Sequence, residues 1–310
     1  MAHDHDIVIA GGGIAGLTAA LTAARLGRRT LVLTGDVLGG QLISIETIDG
    51  YPGFPDGVPG YDLCPIAQEQ AAAAGAEFAS TELTSIAPDG GNWKLTTGEG
   101  EITARGVIIA TGAALKTLGV PGEERLHGKG VSHCATCDGP LLRNKVVAVA
   151  GGGDSGLQEA LTLAQFASKV FVIERGAALS AQKIYRDRVA AEGKIEVRTN
   201  SAIEEILGGD AVSGVRIRDM SAGTTSDLEV GGVFVYIGLA PSPVVLKERV
   251  ALDPSGAVPA DGLMRTELKG VCAAGTVRAG AVGRAASSAG DGAIAAVTLD
   301  RYLDDGRWRG

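Results

Sequence analysis

Strand, glycine turn and helix follow one another twice in these 310 residues, and two proline- and glycine-marked crossings bracket the second copy. Together they predict an α/β protein of two Rossmann-like, three-layer nucleotide-binding domains, one inserted in the other. The length agrees, since 310 residues exceed what one hydrophobic core usually holds.

The first copy opens with Asp6-Ile7-Val8-Ile9-Ala10, turns at Gly11-Gly12-Gly13-Ile14-Ala15-Gly16, continues as the amphipathic run LTAALTAARLG and returns in Thr30-Leu31-Val32-Leu33-Thr34. The second runs Lys145–Ala150, then Gly151-Gly152-Gly153-Asp154-Ser155-Gly156, then LQEALTLAQFA, then Val170–Glu174. Aligned on each other, GGGIAGLTAALTA and GGGDSGLQEALTL share all four glycines and the leucine-alanine-leucine-threonine that follows in step. One such turn means little in a chain with 47 glycines, but two, each set between an apolar strand and a helix, are specific. The glycines answer a physical need. A tight strand-to-helix turn, backbone close to a pyrophosphate and helix packed hard on strand each leave no space for a side chain, and the helix start offers unpaired N–H groups to the anion.

Between and after the copies come GGQLISIETIDGYPGFPDG, a helix-like CPIAQEQAAAAGAEF, strand-like Trp93–Thr97 and Gly106–Ala110, and Thr111-Gly112. The segment TLGVPG, from Thr117 to Gly122, reads as the first crossing, and LAPSP, after a strand at Gly232–Gly238, as the second. A strand at Gly270–Ala274, a glycine turn and an alanine-rich helix from Ala285 to Leu303 close the chain.

Composition narrows the function. The chain is 45% apolar and 21% charged with a formal charge of −8, and it has no long Lys/Arg cluster, which opposes nucleic acid and anionic lipid as partners. No apolar run reaches the roughly 18 residues of a membrane span. Acidic residues and a glycine turn flank the first apolar run, so MAHDHDIVIAGGG reads as a first strand rather than a signal peptide, and a reducing cytoplasm is the expected compartment.

Two of the four cysteines stand in SHCATCDG, as Cys134 and Cys137. So short a loop removes little chain entropy, which argues against a structural staple. A redox pair, a metal site and ordinary buried cysteines are what the spacing leaves open, with redox chemistry the reading that the compartment favours. Cys64 and Cys272 stand alone and read as inert buried residues.

The ordered series GGGIAG, GGQL, YPG, ATGA, SHCATCDG, GGGDSG, VFVYIGLAPSP, GVCAAG and SSAGDGAIAA resembles the bacterial, low-molecular-weight thioredoxin reductase family nearly end to end. The resemblance implies an FAD-binding domain from residues 1–116 and 243–310, an inserted NAD(P)-binding domain at 117–242 that carries the CxxC, and a homodimer. It implies that electrons pass from a nicotinamide to FAD, then to the Cys134–Cys137 disulfide, then to a thioredoxin-like or other disulfide protein. By position, Cys137 lies nearer the flavin, Cys134 exchanges with the partner and Asp138 handles the proton. FAD falls to Gly11, Gly13, Ile14, Ala15, Gly16, Gly40, Gln41, Leu42, Thr111, Gly112, Gly275, Thr276, Arg284, Ala285 and Ala286. The nicotinamide falls to Gly151, Gly153, Asp154, Ser155, Gly156, Glu174 and Arg175.

The chain departs from the family in two places. Where NADPH-using relatives carry a histidine and two arginines, this sequence reads Glu174-Arg175-Gly176, with no further arginine by Ser180. A carboxylate about 20 residues past the glycine turn suits the ribose hydroxyl of NADH and repels a 2′-phosphate, so NADH is expected over NADPH. At the flavin, Gly50 replaces an asparagine, Thr276 an aspartate and Ala285 a glutamine. The expected function is therefore an NADH-dependent, FAD-containing disulfide reductase. The alternatives are a flavin dithiol oxidase or ferredoxin-fed reductase with an unused nicotinamide site, and a non-enzymatic redox sensor.

Overall fold

The computed structural model describes residues 3–243 and 245–308. Two compact units form, one from the chain up to Ala114 and again from Ala240, the other from Leu115–Leu239. Each is an α/β unit with a parallel sheet at its centre.

In the first unit, strand His5–Ala10 lies parallel between Thr30–Leu33 and Gly100–Ile109, with Ile9 opposite Val32 on one side and Ile108 on the other. Glu77–Ala79 and Val271–Ala273 extend the parallel part of the sheet at its two ends. Ile7–Ala10, Leu31–Leu33 and Val107–Ile109 are apolar without interruption because both faces are covered there. Alternate side chains then serve different layers. Ile7 and Ile9 pack with helices Ile14–Arg25 and Ala285–Asp305, whereas Val8 and Ala10 join Ile86, Leu95 and Val258 on the opposite face. The two helices meet through Ala15, Ala19, Ala295 and Ala296, residues small enough for the backbones to come close. At Gly292 a Cβ would land on the carbonyl oxygen of Ala15.

The first half of Gly100–Ile109 also pairs antiparallel with Asn92–Thr97, which pairs with Leu83–Asp89. The strand expected at Trp93–Thr97 is thus one arm of a hairpin, and the strand before Thr111 begins at Gly100, six residues ahead of the expected Gly106.

The second unit orders five parallel strands as Ile195–Arg198, Lys169–Ile173, Val146–Ala150, Gly232–Val235 and Val131–Ser132. Helices Asp154–Ala164 and Lys183–Ala191 cover one face through Leu157, Leu163, Tyr185 and Val189. Ile203, Ile206, Val215 and Ile217, from the antiparallel sheet Ser201–Gly208, Val212–Asp219 and Thr225–Glu229, pack with residues of the opposite face. That sheet is absent from the sequence reading.

The passages between the units are tied inside each unit. In the second, the Lys116 N–H donates to Gly238 O at 3.0 Å; in the first, the Ser242 N–H donates to Gly112 O at 3.0 Å and the Thr111 hydroxyl to Ser242 O at 2.6 Å. Thr117–Gly122, read above as the crossing, lies past it, within the second unit. Buried Glu123 holds this segment by accepting the Leu118 and Gly119 N–H groups at 2.9 and 2.7 Å.

The helix contact yields a test. Gly292→Ala gains about 1 kcal/mol of helix propensity but forces a methyl onto backbone, an overpacking that typically costs about 1–3 kcal/mol. The expected result is a lower thermal midpoint; an unchanged or raised one refutes the close approach.

Candidate active site

The first glycine turn is shaped for an anion. Gly11 has φ +116°, and a Cβ there would fall on the Ala110 carbonyl oxygen; at Gly16 it would fall on that of Gly11. These positions are closed by backbone. Gly13 differs, because a Cβ there meets nothing within 4 Å. It opens onto the start of helix Ile14–Arg25, which no side chain caps. Unpaired helix amides beside open space are what a pyrophosphate requires.

Distant segments converge on this turn. The Gly39 N–H donates to Gly12 O at 2.9 Å, which sets the short turn Gly40–Leu42 beside Gly13. A Cβ on Gly112 would lie 3.7 Å from the Thr276 hydroxyl, and one on Gly275 2.9 Å from Ala15 Cβ. Leu42 and Ala285 both pack on the cluster containing Ile14. Arg284 is the residue before helix Ala285–Asp305, with Ala286 in its first turn. Gly50 has φ +73° and space around a Cβ. The residues present thus fit an FAD, which Gly11–Gly16, Gly40–Leu42, Thr111, Gly112, Gly275 and Thr276 would hold.

Asp291, which the sequence reading passed over, holds part of this site. It is 6% exposed, accepts the Gly275 N–H at 3.1 Å and binds the Arg278 guanidinium at 2.7 and 3.0 Å. An acid among the small residues of SSAGDGAIAA is the signal that marks it. With Thr276 a neutral hydroxyl, Asp291 places the carboxylate one layer back, where Arg278 neutralises it.

The second turn repeats the first. Gly151 has φ +112°, and a Cβ would fall on the Tyr236 carbonyl oxygen; at Gly156 it would fall on that of Gly151. Helix Asp154–Ala164 follows Gly153 with no side-chain cap. Here two carboxylates stand at the turn. Glu174 accepts the N–H of Gly152 and of Gly176, each at 2.6 Å, so its charge is fixed against the glycine turn. Asp154 accepts the Gln182 N–H at 2.7 Å. Ser155 and Arg175 are exposed beside them.

Cys134 and Cys137 are joined in a disulfide with Cα atoms 5.3 Å apart. Cys134 precedes the four-residue helix Ala135–Asp138, and its Sγ accepts the Cys137 N–H at 3.1 Å. Cys137 is exposed and Cys134 half-buried. The Cys134 N–H donates to the Ser132 hydroxyl at 3.0 Å, and the His133 ring donates from Nδ1 to Val235 O at 3.0 Å. Asp138 ends the same helix, its N–H on Cys134 O at 3.1 Å. The turn therefore joins both sulfurs and one acid on a few residues, as disulfide exchange with proton transfer demands.

Residues 5–293 match the family described as pyridine nucleotide-disulphide oxidoreductase. The thioredoxin reductase of Treponema pallidum is 39% identical over 98% of this chain and 99% of its own, and that of Mycolicibacterium smegmatis 41% identical over 96% of each. The crystal structure of Lactococcus lactis thioredoxin reductase superposes with a TM-score of 0.94 at 36% identity, covering 97% of this chain and 100% of the other.

The remaining cysteines give a countable prediction. Cys64 and Cys272 are fully buried; burial pushes the Cys64 thiol up to about 11 and raises that of Cys272 as well. Neither ionises near pH 8, so alkylation of the folded protein should label no cysteine when oxidised and two after mild reduction, with all four labelled on denaturation. Mass spectrometry reads the count, and a third label on the folded reduced protein contradicts it.

Proposed function

The chain belongs to the pyridine nucleotide-disulphide oxidoreductases and, among them, to the bacterial thioredoxin reductase family of flavoprotein enzymes; from that premise we propose that it carries electrons from NADH through FAD to Cys134–Cys137 and on to a thioredoxin-like or other disulfide protein. FAD belongs to the unit of residues 1–116 and 243–310, the nicotinamide to residues 117–242. When bound, FAD supplies the two-electron relay between nicotinamide and disulfide.

The single observation behind the choice of NADH is the Glu174 carboxylate, pinned by two amides at the second glycine turn. Fixed there, it accepts from a ribose hydroxyl at no ordering cost, and it repels a 2′-phosphate by up to about 4 kcal/mol at an effective dielectric near 20. Arg175 is the one basic residue left in that loop to oppose it.

Opening the Cys134–Cys137 bond takes two electrons and two protons. Cys137 accepts the electrons, Cys134 attacks the partner disulfide, and Asp138 exchanges the proton as one thiolate replaces another. The protein acts as a homodimer in the cytoplasm. The loss of the other arginines from that loop, which leaves Arg175 alone, motivates a second reading, a reductase fed by ferredoxin or a dithiol oxidase with that turn unused.

Anaerobic titration of the yellow protein separates the readings. NADH bleaches the flavin at lower concentration than NADPH under the first, and neither bleaches it under the second. Glu174→Gln should raise KM for NADH about tenfold, the loss of one charge-assisted hydrogen bond, and narrow the preference over NADPH. Cys137→Ser should abolish partner reduction while flavin bleaching by nicotinamide persists; retained partner reduction sinks the electron route, and measurable turnover by the wild type excludes a mere sensor.

A further inference from the structure

Beneath the dithiol turn lies a side chain that the electron route does not use. Tyr236 follows strand Gly232–Val235 and is 8% exposed. Its hydroxyl accepts the Ala135 N–H at 3.2 Å and donates to the Glu159 carboxylate, on helix Asp154–Ala164. Ala135 is fully buried, so its amide has no solvent to turn to. The backbone of Tyr236 also floors the second glycine turn, since its carbonyl oxygen is what a Cβ on Gly151 would strike.

The destinations of the turn's amides matter for redox behaviour. The Cys137 N–H points to Cys134 Sγ, whereas the Cys134 and Asp138 amides go to oxygen. An amide aimed at sulfur favours thiolate over disulfide, because the thiolate carries the charge. A pair whose reduced form is stabilised in that way becomes a strong oxidant and a poor reductant. The Ala135 amide, one residue from Cys134, is kept out of this role by the phenol. Burial and the nearby charges of Glu159 and Asp138 push the Tyr236 hydroxyl far up, so it stays a neutral phenol.

We propose that Tyr236, oriented by Glu159, is a positioning residue that holds the Ala135 amide away from the sulfurs and keeps the Cys134–Cys137 dithiol strongly reducing. The proposal rests on the reading that this pair passes electrons onward, and the two fail separately. The measurement uses dithiothreitol alone: it closes to its cyclic disulfide as Cys134–Cys137 opens to two thiols, so two electrons and two protons move and alkylation gives the equilibrium constant. Tyr236→Phe should shift that constant about tenfold toward the reduced protein, equivalent to a potential about 30 mV higher. Glu159→Gln should move it the same way by less. Circular dichroism establishes that each variant is folded; if Tyr236→Phe is not, Glu159→Gln carries the test. Wild-type constants in folded variants, or a shift toward the disulfide, overturn the proposal. A wild-type flavin that no nicotinamide bleaches overturns the functional reading and leaves this equilibrium to be judged by itself.

Discussion

The structure depends on backbone meeting backbone where no side chain fits. Gly16 lies over the carbonyl of Gly11, and Gly156 over that of Gly151, so each helix begins against the end of its strand. Because the helix start is so near the strand end, its free amides face outward at Gly13 in the first unit and at Gly153 in the second, where Glu174 holds the Gly152 N–H. The alanine seam between helices Ile14–Arg25 and Ala285–Asp305 extends this close approach through the first unit.

A second regularity is the use of carboxylates as clamps on backbone amides. Glu123 holds Leu118 and Gly119, Glu174 holds Gly152 and Gly176, and Asp291 holds Gly275. Each fixes a loop with charge-assisted hydrogen bonds, which are stronger than the neutral kind. Tyr236 does the same for the dithiol turn with a neutral oxygen in front and a carboxylate behind it. The choice has a chemical sense. A phenol holds the Ala135 amide without adding a second charge beside Asp138.

The duplicated glycine turns, the chief strands as they follow along the chain and the Cys134–Cys137 spacing were legible in the sequence because each is a local pattern. Glycine spacing, an apolar run and a two-residue gap between thiols are statements about neighbours in the chain. The antiparallel sheet Ser201–Glu229 escaped notice because its strands are half exposed and carry charged pairs such as Arg216 with Asp227, so no apolar run marks them. Gly100–Ile109 was read short for a similar reason: its first half, GEITAR, is polar and gains its strand from the hairpin beside it.

Neighbouring residues alone dictate the α/β class, the two dinucleotide turns, the close pair of thiols and an acid about 20 residues beyond the second turn. Which polar groups meet came from the folded chain alone: Asp291 with Arg278 and Gly275, Tyr236 with Ala135. The reason is physical. A glycine turn is dictated by the steric limits of consecutive residues, whereas Tyr236 and Ala135 stand 101 positions apart. Hydrogen bonds across such a gap exist only once the sheet has set strand Gly232–Val235 beside Val131–Ser132, and nothing in the chain around either residue announces the other.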